Sequence, residues 1–511
     1  MNKRANLAGL LALVVPSSCW YVWVAIHNTQ LGFAPDDVVY LLMADLYSPW
    51  PPGFDAAHDF VRHYAQFPPL FPMILALAGG GTGGVVAARI VVALSFVMAS
   101  VLYGCWLRVK GVPPWSALAL AAFSVWWPVN WIMATDLWSE GLYLCVCWLV
   151  LLAFHQTYRT DKTWRWALVV GALAAAAMAT RSIGVAFLPV IFFGLARKGV
   201  VEIFLALIAW IVTHWMFTYY SVGGGESYVG ELARYYSSSP WTALAGQIAK
   251  FRDELGPAAV YDFFLWRSMT GWPLAFALMV LGLGAVGAAR EIKTGSPSVY
   301  YCAIYLAIVL LWPFPSELSR FLVPLLPFAL FLVWRGVSAR AQREWPGLLM
   351  VGALVIVTAP GVWACLQRVW TPLPSAELDS WRFTRYWLDA SRGPREDVVE
   401  TIAHLEGYQR AAKQIAEFVP SGECVYTPQI HLVLWHARRA SFIPPKGPKI
   451  EDTATLICPW FQAVGETSAG MPEFYPIHVR PDLQLVAAWT ASGQRVSDGQ
   501  TQATNLLLRL P

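Results

Sequence analysis

Hydrophobic residues come along this chain in long blocks rather than in alternation, and short polar or proline-rich intervals separate the blocks. The blocks occupy residues 5–26, 84–107, 115–132, 137–154, 166–179, 183–196, 200–219, 272–289, 299–311, 321–334 and 348–366. A helix needs about 20 mainly apolar residues to cross a bilayer core, so the blocks predict about eleven transmembrane helices. The first block follows Lys3 and Arg4 and is longer than the apolar core of a signal peptide, so it reads as a spanning helix.

The polar intervals alternate in charge. Arg108 and Lys110, then Arg159, Lys162 and Arg165, then Arg197 and Lys198, then Arg290 and Lys293, then Arg335, Arg340 and Arg343 all fall in every second interval. The remaining short intervals carry only Arg181 and Arg320, at helix edges. Basic residues are retained on the cytoplasmic side, so the pattern places the N-terminus inside and the C-terminus outside. Three regions on the outer side are too long to be simple connections: residues 27–83, 221–271 and 371–511. The last holds a helical pattern at 407–418 and strand-like runs at 424–427, 455–458, 485–489 and 505–508. That mixture predicts a small C-terminal extracytoplasmic α/β domain at 371–511, after a membrane domain at 1–370.

Composition strengthens the membrane reading. Of 511 residues 57% are hydrophobic and 13% charged, too little polar surface for a soluble chain of this length. The net charge of +4 is spread over loops and forms no basic stripe, which excludes a nucleic-acid partner. Six of the eight cysteines lie in or beside apolar blocks as packing residues, while Cys424 and Cys458 could pair only if their region is extracytoplasmic.

The candidate chemistry lies on the outer side. Asp36 and Asp37 stand just beyond the first helix, before an apolar, aromatic-rich segment at 38–47 that reads as an amphipathic helix in the interface. A carboxylate held there can serve as a general base. It can equally serve as an N-cap, accepting backbone N–H bonds at the positive end of the helix dipole. Asp136 falls in a short outer turn, with Glu140 one turn further along the same expected helix face. Glu140 lies within the apolar region, where an ionisable group is costly and marks a functional position or an ion pair with a neighbouring helix.

These residues and their order resemble the GT-C membrane glycosyltransferases, in particular the protein O-mannosyltransferase and lipid A aminoarabinose transferase branch. The resemblance rests on four pieces within residues 1–340. The first is the acidic pair Asp36 and Asp37, followed by two valines and Tyr40. The second is Phe67-Pro-Pro-Leu-Phe-Pro72, similar to the run that closes the family's first outer loop. The third is Thr180-Arg181-Ser-Ile-Gly184, and the fourth is Ser319-Arg320-Phe-Leu-Val-Pro-Leu-Leu-Pro327. In the family the second acidic residue is more often Glu; here it is Asp37.

The resemblance implies a GT-C fold and transfer of a sugar from a polyprenyl-phosphate donor to a lipid, glycan or protein acceptor at the outer face of the inner membrane. It implies inversion in a single displacement, with Asp36 as base and Asp37 and Asp136 beside it. The departing lipid phosphate would need cations, for which Arg320 and then Arg181 are the first candidates, with Glu317 as a pairing partner. Tyr40, Glu140, Arg62, His58 and Arg89 could line the same cavity. His58 and His63 are five apart and share no helix face, so no metal pair is read, and the need for a divalent metal stays open. The glycine run at 79–84 follows no strand and reads as a flexible joint rather than a phosphate loop. His431 and His436 read as ordinary surface. A transporter or flippase for a lipid-linked saccharide is the alternative, although no internal repeat is visible.

Overall fold

The computed structural model describes residues 3–31, 35–50, 67–221, 233, 235–237, 239–250, 272–311, 318–338, 345–388, 395–420, 423–426, 433–437, 441–442, 460–464, 484–490 and 503–509. The helices are α1 (Lys3–His27), α2 (Pro35–Tyr47), α3 (Leu70–Leu77), α4 (Val85–Val109), α5 (Pro114–Trp126), α6 (Pro128–Met133), α7 (Glu140–Arg159) and α8 (Thr163–Thr180). Then come α9 (Phe187–Leu195), α10 (Val200–Tyr219), α11 (Pro240–Lys250), α12 (Trp272–Thr294), α13 (Pro297–Leu310), α14 (Leu318–Leu322) and α15 (Leu326–Val337). The last are α16 (Trp345–Trp370), α17 (Ala376–Asp379), α18 (Arg385–Leu388) and α19 (Arg395–Phe418).

The apolar blocks of the sequence lie on α1, α4, α5, α7, α8, α9, α10, α12, α13, α15 and α16. Among the described residues six helices are long and apolar enough to cross a membrane: Val85–Val109, Glu140–Arg159, Thr163–Thr180, Val200–Tyr219, Arg320–Val337 and Gly347–Trp370. Leu11–His27, Pro114–Trp126, Ser182–Leu195 and Pro297–Leu310 are shorter apolar helices. The protein is a multi-pass membrane protein.

Prolines account for two breaks that hydropathy does not show. The block at 115–132 divides at Trp127, which is extended (ψ 124°) ahead of Pro128. The Arg320 helix tightens into a 3₁₀ turn at Val323–Leu325, where Pro324 and Pro327 each lack a backbone donor. Small residues set the tightest helix contacts. Gly287 of α12 and Gly336 of α15 face each other's helix so closely that a Cβ on either would overlap the carbonyl of Leu332 or Leu283.

Helix α2 corrects an expectation. Val38, Leu41, Leu42, Met43 and Ala44 are all fully buried, and Val39 and Tyr40 nearly so. A helix buried on every side is a core element, not an amphipathic one resting in the interface. The glycine run is also held more firmly than a flexible joint implies. Asp45, from α2, accepts from the backbone N–H of Thr82 at 3.0 Å and from its hydroxyl. Gly79 there takes φ +76°, a conformation open to glycine.

The two ends of the bundle differ in chemistry. At one end Glu291 binds Lys110 and Arg335, each at 2.7 Å, and Arg197 donates to the Thr294 carbonyl at 2.9 Å. At the other end lie Asp36, Asp136, Glu140, Arg181 and Arg320, each at the opposite terminus of its helix or in an adjoining turn.

Beyond α16 the chain returns to the bundle. Trp381, Trp387, Leu388 and Ile402 are fully buried in the same apolar core as the membrane helices. A second, smaller core joins Ala411, Ala412 and Ile415 of α19 to Val425, Val433 and Leu507. The strands are β1 (Val425–Tyr426), β2 (Ser441–Phe442), β3 (Trp460–Val464), β4 (Gln484–Thr490) and β5 (Ala503–Arg509). They form one sheet in the order β2-β1-β3-β5-β4, with β1 parallel to β2 and β3 and β5 antiparallel to β3 and β4. The run at 455–458 lies outside the described residues. Cys424 is disulfide-bonded, whereas Cys19, Cys105, Cys145, Cys147, Cys302 and Cys365 are free thiols.

Candidate functional site

The site forms where α2 enters the bundle beneath the turn that precedes α7. Adjacent residues on a helix point about 100° apart, so Asp36 and Asp37 face different neighbours. Each enters a separate network of carboxylates and guanidinium groups.

Asp36 lies in the first network. Arg320, from α14, donates through Nη1 to Asp36 Oδ2 and through Nε to Glu140 Oε1. Arg181 pairs with the same Glu140 oxygen. Glu140 is fully buried, which a carboxylate tolerates only when its charge is matched; two guanidinium groups match it. The side chain of Asp36 is 17% exposed, the most open of the four carboxylates in the two networks.

The local sequence explains the aim of Arg181. It follows the last residue of α8 in an extended conformation (φ −149°), and the chain doubles back into the 3₁₀ turn Ser182–Ala186. Gly184 N–H donates to the Arg181 carbonyl at 2.8 Å, and any Cβ at Gly184 would overlap the backbone of Ala177 and Met178. The glycine of the Thr-Arg-x-x-Gly pattern is therefore a steric requirement of this turn.

Asp37 lies in the second network. Its Oδ1 accepts from the backbone N–H of Leu137 at 2.9 Å, so it closes the turn before α7. Burial, and after it the nearby Asp136 carboxylate, holds the Asp37 carboxyl well above the usual aspartate range. Arg89, the Leu137 N–H and Arg385 act in the opposite direction. Asp136 pairs with Arg385, whose Nε lies 3.1 Å from Oδ2. Trp138 connects the networks, with the Arg320 guanidinium 4.5 Å and the Arg385 guanidinium 4.8 Å from its ring centroid.

Other predicted residues take supporting places. Tyr40 is buried, its hydroxyl 3.3 Å from Ser139 Oγ and its ring packed 4.7 Å from Phe71 and 5.0 Å from Phe67. The proline-aromatic run thus supports α2 from below. Arg89 donates to the carbonyls of Gln30 at 2.9 Å and Ala25 at 3.4 Å, satisfying one acceptor in the last turn of α1 and one just beyond it. His58, Arg62, His63 and Glu317 lie outside the described residues, as does His431. His436 lies 3.1 Å from Gln409 Nε2.

One expected relationship is not formed. Helix α7 begins at Glu140, three residues later than the apolar block, so Asp136 and Glu140 do not share a helix face. The sharp turn at 134–136 sends the two carboxylates into different networks. Sequence reading also missed Arg385 and Trp138. Arg385 sits in the run Trp381-Arg-Phe-Thr-Arg-Tyr-Trp387, where aromatic residues alternate with arginines beyond the last apolar block. Among the described residues no three of His, Cys, Asp or Glu converge as metal ligands.

No protein-family model and no curated protein matches the chain. Solved structures do resemble it. ArnT from Cupriavidus metallidurans bound to undecaprenyl phosphate is similar over 98% of this chain and 98% of that one, with a TM-score of 0.51 and 15% identity. The same protein in the apo state gives a TM-score of 0.55 at 14% identity, again over 98% of each chain. The archaeal oligosaccharyltransferase AglB from Archaeoglobus fulgidus, in complex with an inhibitory peptide and a dolichol-phosphate, is similar over 96% of this chain and 74% of that one. Its TM-score is 0.51 and its identity 11%. Identities this low speak to architecture alone: the chain has the fold of these solved structures, the GT-C fold.

Proposed function

We propose that the protein transfers a sugar from a polyprenyl-phosphate donor to a hydroxyl or amine acceptor on the outer side of the membrane. One observation carries the reading: Asp36, Glu140, Arg181 and Arg320, from four separate helices or turns, converge at one end of the bundle with Asp36 the more open carboxylate. The solved structures with undecaprenyl phosphate and dolichol-phosphate support a lipid-phosphate donor.

The chemistry follows from these groups. The acceptor oxygen or nitrogen attacks the anomeric carbon, its proton passes to Asp36, and the bond to the donor phosphate breaks with its electron pair on phosphate. Arg320 and Arg181 hold that phosphate as its charge grows, in a site with little water. Donor phosphate competes with Asp36 and Glu140 for the Arg320 guanidinium. Once the phosphate takes it, Asp36 is released to accept a hydrogen bond from the acceptor. Attack opposite the leaving group inverts the anomeric centre.

We place the N-terminus in the cytoplasm and read eleven crossings, with α12 as the eleventh beside the six long and four shorter apolar helices. We assign residues 371–511, whose strands form one sheet, to a small extracytoplasmic α/β domain. The disulfide at Cys424 supports an oxidising compartment for it. Cys458 is its partner in this reading.

Mass spectrometry of lipids and glycans from a strain lacking the gene tests the function. Accumulation of an unused polyprenyl-phosphate sugar with loss of one glycan is expected, together with transfer of that sugar by the purified protein. Donor accumulation without any transfer by the purified protein would instead identify a transporter.

A further inference from the structure

Arg385 reaches the acidic turn from a part of the chain that the membrane helices do not supply. Its segment is fixed from both sides. Arg368, near the end of α16, donates to the Trp387 carbonyl at 3.0 Å, and Trp387 Nε1 donates back to the Arg368 carbonyl at 2.7 Å. Trp381 Nε1 donates to Glu406 of α19 at 2.7 Å, and both tryptophans are fully buried. Arg385 is therefore presented from a packed segment, with its guanidinium 3.1 Å from Asp136 and over the ring of Trp138.

The charges around Asp37 explain why this matters. Asp136 faces it from the turn before α7, Arg89 from α4 and Arg385 from α18, with the Leu137 N–H as a fixed donor. The Asp36, Arg320, Glu140 and Arg181 network lies alongside, through Trp138. Two desolvated carboxylates repel unless cations are held between or beside them. Removing one guanidinium would leave that pair under-compensated.

We propose that Arg385 is a positioning residue of the active site, through which the segment after the last membrane helix holds Asp136 beside Asp37 and offsets part of the repulsion between the two carboxylates. Its consequence for catalysis rests on the glycosyl-transfer reading, but its electrostatic effect does not. The C-terminal segment is then part of the site, and it orients the turn that carries Asp136, Leu137 and Trp138.

An infrared titration of the purified full chain in nanodiscs tests this. The protonated carboxyl band of Asp37 is assigned by its loss in Asp37→Asn, and its midpoint is followed with pH. Arg385→Gln should move the midpoint upward by about one pH unit, within the range an adjacent opposite charge produces. Arg385→Lys should return it toward the unsubstituted value. An unchanged midpoint in Arg385→Gln, or a lysine variant no different from glutamine, overturns the proposal. If Arg385→Gln does not purify, Asp136→Asn decides: the Asp37 midpoint must fall, since a repelling charge is gone, and a midpoint that stays put refutes the coupling. The titration stands whether or not sugar transfer is found, so the two readings fail separately.

Discussion

Asp37 accepts the backbone N–H of Leu137 at 2.9 Å, tying the start of α2 to a turn a hundred residues further along the chain. Asp36, one residue earlier, is bound instead by Arg320. The pair that looks like one motif in sequence has divided its partners: Asp37 closes the turn before α7 and Asp36 enters the arginine network.

This division sets the first expected outcome. Asp36→Asn keeps the shape but cannot take a proton, and a general base typically contributes about 10²–10⁴-fold in rate. Transfer should fall by at least roughly a hundredfold with donor binding retained, while Asp37→Asn should be milder. Kinetics of purified variants decide it, and near-normal rates for both singles and the double would remove the catalytic role.

Asp37 also makes a pH prediction. Its carboxyl is held above the usual range in the folded protein, so folding favours its protonated form. The stability it contributes is complete below the ordinary aspartate pKa of about 3.9 and is lost as pH rises through the raised value. Asp37→Asn stays neutral throughout and should flatten this decline. Thermal unfolding between about pH 4 and pH 8 measures it, and parallel curves for the two proteins would contradict it.

Arg320 holds Asp36 and Glu140, and the proposed mechanism asks it to hold the donor phosphate as well. Arg320→Ala should therefore lose stability together with donor use, because breaking a buried pair costs about 3–5 kcal/mol. Arg320→Lys keeps a cation near Glu140, which Arg181 still covers, but lacks the planar fork. It should fold and bind undecaprenyl phosphate several-fold more weakly. Normal binding by a folded lysine variant would leave Arg320 a structural residue.

The contact between α12 and α15 predicts a defect far from the chemistry. Gly287→Leu would drive a side chain into the Leu332 carbonyl and separate the two helices. Overpacking of this kind costs about 1–3 kcal/mol or more. A lower melting temperature with normal residual activity per folded molecule is expected. Unchanged stability would show that the helices separate freely.

Topology is checked by reporters and by thiol chemistry. A fusion after Pro511 should be active only outside the cytoplasm, and one between Arg159 and Arg165 only inside. Cys424 should resist alkylation until a reductant is added, as a disulfide-bonded cysteine must. Opposite activity at either fusion point would invert the site's assigned face.

Much of this protein was written in its sequence. Blocks of apolar residues near bilayer length dictate helices, because an unpaired backbone cannot lie in lipid, and the alternation of basic loops dictates which ends lie together. The candidates Asp36, Glu140, Arg181 and Arg320 were legible because charges at the ends of apolar helices are rare and costly. What sequence could not decide is who pairs with whom. Helix phase turns Asp36 and Asp37 to different partners, and the turn at 134–136 separates Asp136 from Glu140. Arg385 reaches the site only because Trp381 and Trp387 bury themselves in the membrane core and bring their segment with them. Periodicity along one helix reports which face is apolar, but charge compensation is a matter of ångströms between distant segments, and those distances exist only in the folded chain.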